Sequence, residues 1–311
     1  VRGKMRIAVV GSGAMGSLYG GLLADAGEDV TLIDIWKEHV DAINTRGLKI
    51  SGASGERLVR VRATTNPAEV GTVDLIMIFV KAYDTRKAAQ DALPMVGPET
   101  VFLTLQNGLG NVEQIEEVAG KGRVVAGATT HGSTLVGPGE VFHAGKGLTY
   151  IGELTGEITE RVKRIAETFN RAGIETHISQ NIQGIIWKKI LINVGINAIT
   201  AITGLRNGEI LLVPEVKEIV RKAVLEAAEV AKAAGITVEM EDPVAEVYKV
   251  AELTAKNKSS MLQDVERGRR TEIDAINGAI VRIGKQYGVD TPVNETLVAA
   301  VKGIEYASKR S

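Results

Sequence analysis

Arg6-Ile7-Ala8-Val9-Val10-Gly11-Ser12-Gly13-Ala14-Met15-Gly16 decides how the first half of the chain folds. Four successive apolar residues, Ile7 to Val10, leave no polar face, as in a strand covered on both sides. Three glycines spaced Gly-x-Gly-x-x-Gly follow at once. Ser17 to Ala26 suits a helix, Gly27 ends it, and Asp29 to Ile33 suits a second strand. Such a strand-turn-helix-strand unit presents the first N–H groups of its helix to an anion. Gly11 permits the tight turn, Gly13 leaves room for a pyrophosphate near the backbone, and Gly16 lets helix and strand pack closely. Asp34 stands at the end of the second strand, 23 residues after Gly11. A carboxylate there accepts hydrogen bonds from both hydroxyls of an adenosine ribose and repels a 2′-phosphate. The pattern predicts a doubly wound domain that holds a nicotinamide dinucleotide, with NADH preferred and NADPH possible. The plainer alternative is a structural glycine turn with Asp34 capping a neighbouring helix.

Working outward, Leu75 to Val80, Val101 to Leu105, Val124 to Ala128, Val141 to Ala144 and Leu148 to Ile151 read as further strands. The last two are expected to form a hairpin through Gly145-Lys146-Gly147. Lys81 and the loop Gln106-Asn107-Gly108-Leu109-Gly110-Asn111 fall at carboxyl ends of strands, where ligands of doubly wound sheets collect. A helix from Thr159 to Arg171 and a strand from Ile174 to Ile178 close this domain, expected to cover residues 1–180.

Beyond it the period becomes helical, over Gln183 to Ile202, Pro214 to Ala234, Pro243 to Thr254 and Glu272 to Tyr287, with Gly204, Gly235 and Gly288 as terminators. Residues 181–311 are expected to form an all-α domain, so the fold class is α/β plus all-α, with a cleft between the two. Lys189, Asn193 and Asn197 are four apart on a helix that is otherwise apolar. Lys189 and Asn193 stand about 6 Å apart along its axis. An ammonium and two amides there need partners, which a ligand or neighbouring helices would supply. A second polar segment runs Ser259-Ser260-Met261 to Thr271-Glu272-Ile273-Asp274, in which Ser260 starts a helix or binds a small acid. Glu272, Ile276, Ala279 and Ile283 are placed on one side of the following helix.

The totals narrow the classes. With 37 Lys and Arg against 38 Asp and Glu, the net charge is -1, which gives no overall attraction to nucleic acid. The absence of cysteine removes disulfides, thiolate metal sites and a cysteine nucleophile. The four histidines, His39, His131, His143 and His177, lack metal-ligand spacing, and no Gly-x-Ser-x-Gly elbow occurs. The start, Val1 to Arg6, leads straight into the first strand. The apolar stretches are judged to be broken short of a membrane span, so a soluble cytoplasmic protein with no membrane partner is expected. The charged end around Lys302, Lys309 and Arg310 reads as a solvated terminus.

The glycine turn, Lys81, Gln106-Asn107-Gly108, Trp187-Lys188-Lys189 with Asn193 and Asn197, and Ser259-Ser260-Met261 through Arg269-Arg270-Thr271-Glu272-Ile273-Asp274 occur in this order. Along essentially its whole length the chain resembles the 2-dehydropantoate 2-reductase (ketopantoate reductase) family. The resemblance implies reduction of 2-dehydropantoate to (R)-pantoate, on the way to pantothenate and coenzyme A. It implies a Rossmann domain joined to a helical domain like that of 6-phosphogluconate dehydrogenase, and a homodimer. By the same resemblance Lys189 is the catalytic acid, and Glu272 binds substrate and orients it. Asn107 bridges nicotinamide and substrate, Asn193, Asn197 and Ser260 bind substrate, and Lys81 lies near the adenosine ribose. Gly11, Ser12, Gly13, Ala14, Met15, Gly16 and Asp34 complete the cofactor set. One departure stands out, since members using NADPH usually carry an arginine after the second strand, where this chain has Asp34-Ile35-Trp36-Lys37. Lys37 and Lys81 soften that discrimination. Two other readings remain at this point: a reductase of another small keto or hydroxy acid, and a noncatalytic dinucleotide sensor.

Overall fold

The computed structural model describes residues 3–309, so Val1, Arg2, Arg310 and Ser311, from the two charged ends, lie outside the description. Contacts divide the chain into two compact units, one running through Gln106 and resuming over Asn111–Ile182, the other made of Asn107–Gly110 and the chain from Gln183 onward.

The first unit carries, in order, β1 (Arg6–Val10), α1 (Ala14–Asp25), β2 (Asp29–Ile33), α2 (Lys37–Arg46), β3 (Leu48–Gly52), β4 (Arg57–Val59), β5 (Arg62–Thr64), β6 (Leu75–Ile78), α3 (Thr85–Ala92), β7 (Val101–Thr104), α4 (Asn111–Ala119), β8 (Val124–Thr129), β9 (Gly132–Gly137), β10 (Glu140–Gly145), β11 (Thr149–Gly152), α5 (Glu160–Arg171) and β12 (Thr176–Ile178). Eight strands form one sheet in the order β12-β11-β8-β7-β6-β1-β2-β5. Every pairing in it is parallel except β11 with β8. Side-chain alternation explains the unbroken apolar run of β1. Ile7 and Val9 enter the core on one face of the sheet, while Ala8 and Val10 enter the core on the other. Leu75 and Met77 of β6 divide from Ile76 and Ile78 in the same way. Because β1 lies between β2 and β6, the strand order reverses there, and the glycine turn emerges at that switch point.

The expected hairpin of Val141–Ala144 with Leu148–Ile151 does not form. β10 pairs antiparallel with β9 and parallel with β3, in a separate four-stranded sheet of order β4-β3-β10-β9, while β11 joins the large sheet. Gly139 turns the β9–β10 hairpin with φ 73°. The true partners are non-local, so sequence proximity pointed the wrong way.

The second unit contains α6 (Ile182–Thr203), α7 (Pro214–Ala233), α8 (Pro243–Leu253), α9 (Ser260–Glu266), α10 (Asn277–Tyr287) and α11 (Pro292–Ser308). Its core joins Trp187, Ile190, Val194 and Ile199 of α6 to Val220, Val224 and Val230 of α7 and to Ile280 and Val301. By length and composition α6 passes the test for a membrane span, with mean hydropathy 1.5 over its best window, which corrects the expectation that every apolar stretch is interrupted too early. Of that window 61% is buried inside the protein, as expected of a core helix. Gly204, Gly235 and Gly288 follow α6, α7 and α10 with φ of 72–73°, the helix-ending role expected of them.

Candidate functional site

The glycine turn is built as its spacing predicts. Gly11 has φ 90°, and its N–H donates to the Ile33 carbonyl at 2.9 Å, tying the ends of β1 and β2 together. A Cβ on Gly16 would stand 2.0 Å from the Gly11 carbonyl oxygen, so only glycine fits under the turn. Around Gly13, by contrast, nothing lies within 4 Å of a Cβ position. That open backbone, at the first turn of α1 where N–H groups lack helical partners, fits a dinucleotide pyrophosphate. The helix begins at Ala14 rather than Ser17, so the donors belong to the motif itself. Asp34 is half-buried at the end of β2. Its carboxylate accepts from the Trp36 N–H at 2.9 Å and from the Ser12 hydroxyl at 3.4 Å.

Two neighbouring strand ends are held together from beneath. Gln106 donates through Nε2 to the Val80 carbonyl at 2.7 Å and to the Thr85 hydroxyl at 2.8 Å. Lys81 follows Val80 directly and is half-buried.

In the second unit Lys189, Asn193 and Asn197 share the expected stripe of α6. Lys189 and Asn193 are half-buried and Asn197 is buried. Burial pushes the Lys189 ammonium down from its ordinary 10.5 to about 8, and the charge of Glu272 keeps it from falling further. Glu272 is itself buried. It does not belong to a helix: α10 starts at Asn277, and the Ala275 and Ile276 N–H groups donate back to the Glu272 carbonyl at 3.0 and 3.1 Å. The expected helical face of Glu272, Ile276, Ala279 and Ile283 is therefore corrected to a turn carrying Glu272 ahead of the helix. Glu305 of α11 fixes that turn by accepting from the Thr271 N–H at 2.7 Å and hydroxyl at 2.6 Å. The segment bearing half-buried Asn107 is tied to the same turn through the Leu109 N–H, 2.8 Å from the Ala275 carbonyl. Gly108 leaves no space, since a Cβ there would lie 2.6 Å from that of Ala275.

Of the two serines, Ser259 caps α9, accepting from the Leu262 N–H at 3.1 Å and pairing with the Thr200 hydroxyl at 2.7 Å. Ser260 is the first helical residue and is exposed. It starts the helix, one of the two readings its sequence allowed, while the cap is Ser259. Lys188 pairs with Glu246 at 3.5 Å, away from the role given to Lys189. Among the described residues, no cluster of three or more His, Asp or Glu is arranged to hold a metal. Sequence reading missed Glu305 and Thr271, whose pairing spans 34 residues, and His39, which meets Ser17 of the first helix at 3.1 Å. No local pattern signals either contact.

A mostly parallel sheet with a glycine turn at its switch point, in one chain with a helical unit that holds a half-buried lysine under the charge of a buried glutamate, defines a nicotinamide-dependent oxidoreductase. The family models "Ketopantoate reductase PanE/ApbA" and "Ketopantoate reductase PanE/ApbA C terminal" match residues 7–156 and 181–305. The chain belongs to the PanE/ApbA ketopantoate reductase family. It is 42% identical to the 2-dehydropantoate 2-reductase of Pyrococcus horikoshii, over 97% of this chain and 98% of that one. The crystal structure of a PanE/ApbA family ketopantoate reductase from Ralstonia eutropha superposes with a TM-score of 0.92 at 34% identity, covering 98% and 100% of the two chains. A D-mandelate dehydrogenase solved with NADH and anilino(oxo)acetate gives 0.91 at 32% identity, covering 98% and 99%.

Proposed function

We propose that this protein reduces 2-dehydropantoate to (R)-pantoate, the step that feeds pantothenate and coenzyme A synthesis, with NADH preferred over NADPH. The observation that carries the reading is the stripe of Lys189, Asn193 and Asn197 on the otherwise apolar α6, with Lys189 under the charge of buried Glu272, in a chain that matches curated 2-dehydropantoate 2-reductases over nearly its full length. When bound, the reduced dinucleotide supplies hydride to C2 of the keto acid. Gly11, Ser12, Gly13, Ala14, Met15 and Gly16 hold its pyrophosphate, Asp34 takes the ribose hydroxyls, and Lys81 lies on the adenosine side. Lys189, mostly charged at neutral pH, stabilises the negative charge that develops on the carbonyl oxygen and then gives that oxygen its proton. The neutral lysine afterwards regains a proton from solvent. Glu272 favours the charged lysine and accepts from the substrate's terminal hydroxyl. Asn107, Asn193, Asn197 and Ser260 donate to the substrate without adding negative charge.

Asp34 supports the cofactor preference. Its carboxylate accepts from the Trp36 N–H and the Ser12 hydroxyl at the end of β2, a negative charge that would repel a 2′-phosphate, and the next three residues, Ile35-Trp36-Lys37, include no arginine. The same reading takes the protein to be a cytoplasmic homodimer joined through its helical unit, where exposed Leu212 and Leu253 offer apolar surface. The likeness to the D-mandelate dehydrogenase favours one second reading, a reductase of a bulkier 2-keto acid with the same lysine. Initial rates of NADH consumption with 2-dehydropantoate, compared with phenylglyoxylate and other small keto acids, separate the two. The highest kcat/KM belongs to 2-dehydropantoate on the first reading, and to the aryl keto acid on the second.

A further inference from the structure

His39 is fully buried in α2, far from the glycine motif in sequence, yet it lies between that motif and the β9–β10 hairpin. On one side its Nδ1 is 2.9 Å from the Gly139 nitrogen. A peptide N–H can only donate, so Nδ1 must be the acceptor and the proton of the neutral ring resides on Nε2. That Nε2–H then donates to the Ser17 hydroxyl oxygen at 3.1 Å. The Ser17 hydroxyl in turn donates to the Ser12 carbonyl at 2.6 Å. Every proton in this chain of three bonds has one possible place. The Gly139 carbonyl is also taken, by the Lys49 N–H at 2.9 Å, so the hairpin end of the relay is itself fixed. Trp36 stacks flat on the imidazole, with ring centroids 5.4 Å apart and planes 7° from parallel.

We infer that His39 is a positioning residue for the dinucleotide: through Ser17 it fixes the Ser12 carbonyl, and with it the orientation of the backbone N–H groups that meet the pyrophosphate. The inference rests on the reading of Gly11–Gly16 as the dinucleotide turn. Burial holds the imidazole below its ordinary value of 6.5 against the opposing charge of Asp34, which keeps the ring neutral as the relay requires. The groups facing it are Asp34, Trp36, Ser17, the Ser12 carbonyl and the Gly139 amide. Acting on the turn rather than on the keto acid, the relay should govern cofactor affinity and leave the keto-acid KM to the helical unit.

Two amide substitutions divide the relay. In His39→Gln the side-chain N–H₂ reaches the Nε2 position and can still donate to Ser17. In His39→Asn the carbonyl oxygen reaches the Nδ1 position and can accept only from Gly139. Dissociation constants for NADH and NADPH are read by fluorescence titration of the full chain, with thermal midpoints measured alongside. His39→Leu and Ser17→Ala each weaken the better-bound dinucleotide by roughly tenfold, the effect of one or two lost hydrogen bonds, and the double variant is no weaker than either. His39→Gln recovers affinity to within about threefold, whereas His39→Asn recovers the thermal midpoint but not the affinity. Should affinity merely follow the thermal midpoint through all variants, or stay unchanged while the parent binds tightly, the relay is overturned and the cofactor reading survives. A parent that binds neither dinucleotide overturns both. If His39→Leu fails to fold, Ser17→Ala and the two amides decide the matter by the same criteria.

Discussion

Raising the pH should switch off reduction in a range where an ordinary lysine would not respond. Lys189 is held at about 8, by burial first and against the pull of Glu272. With that value the ammonium is about 90% formed near pH 7, half formed near pH 8 and about 10% formed near pH 9, so turnover limited by the acid falls roughly tenfold across the interval. A lysine at its reference pKa of about 10.4 stays charged throughout and gives a flat profile. The reverse reaction, oxidation of the hydroxy acid, needs the neutral amine to accept a proton and should rise over the same range. Glu272→Gln removes the charge that favours the ammonium, which moves the break in the reductive profile to lower pH. The assay is the initial rate of NADH consumption at saturating keto acid, in a series of buffers at constant ionic strength. A reductive rate level up to about pH 9.5 would refute both the depressed lysine and its role as acid.

Other consequences follow from separate parts of the structure. Gly16→Ala drives a methyl group against the Gly11 carbonyl at 2.0 Å, so thermal unfolding should show a loss of about 2 kcal/mol together with weakened dinucleotide binding. The Arg161 guanidinium donates twice to buried Glu153, at 2.6 and 2.5 Å, and holds its carboxyl below the usual range against the effect of burial. Arg161→Ala strands that charge and should cost about 3 kcal/mol in urea unfolding, and a loss under about 1 kcal/mol would mean that the carboxylate escapes to water. His39, His131 and His143 are each held below 6.5, chiefly by burial. The unfolded chain binds their protons first as pH drops. Their contribution is complete above about pH 6.5 and is lost as pH falls through the lower folded values, which a thermal midpoint declining from about pH 6.5 to pH 5 would register. The ratio of kcat/KM with NADH to that with NADPH should exceed one, and Asp34→Arg should invert it.

How much of this was legible in the residues depends on distance along the chain. β1 and β2 are bounded as their apolar runs indicate, and the turn between them carries the strain its glycines imply, because strand, turn and helix obey local rules. The stripe of Lys189, Asn193 and Asn197 was equally visible, since helical periodicity alone creates it. The Glu272 turn was not. Residues 272–276 satisfy a helical pattern, and what bends them is Glu305 of α11 bonding Thr271. Four histidines with no metal spacing gave no signal, yet His131 and His143 meet at 3.0 Å between rings and His39 locks the glycine turn. His143 stands in the small second sheet and the hairpin glycine Gly139 bonds His39, and the β3–β10 pairing of that sheet joins segments about ninety residues apart with no local signature.

Lys189→Ala tests the central claim most directly, by comparing turnover of 2-dehydropantoate with equilibrium binding of NADH in the same preparation. The account predicts turnover lowered by at least about a thousandfold, with the NADH dissociation constant within about threefold of the parent. Turnover equal to the parent's in the correctly folded variant would contradict it, whatever the cofactor affinity.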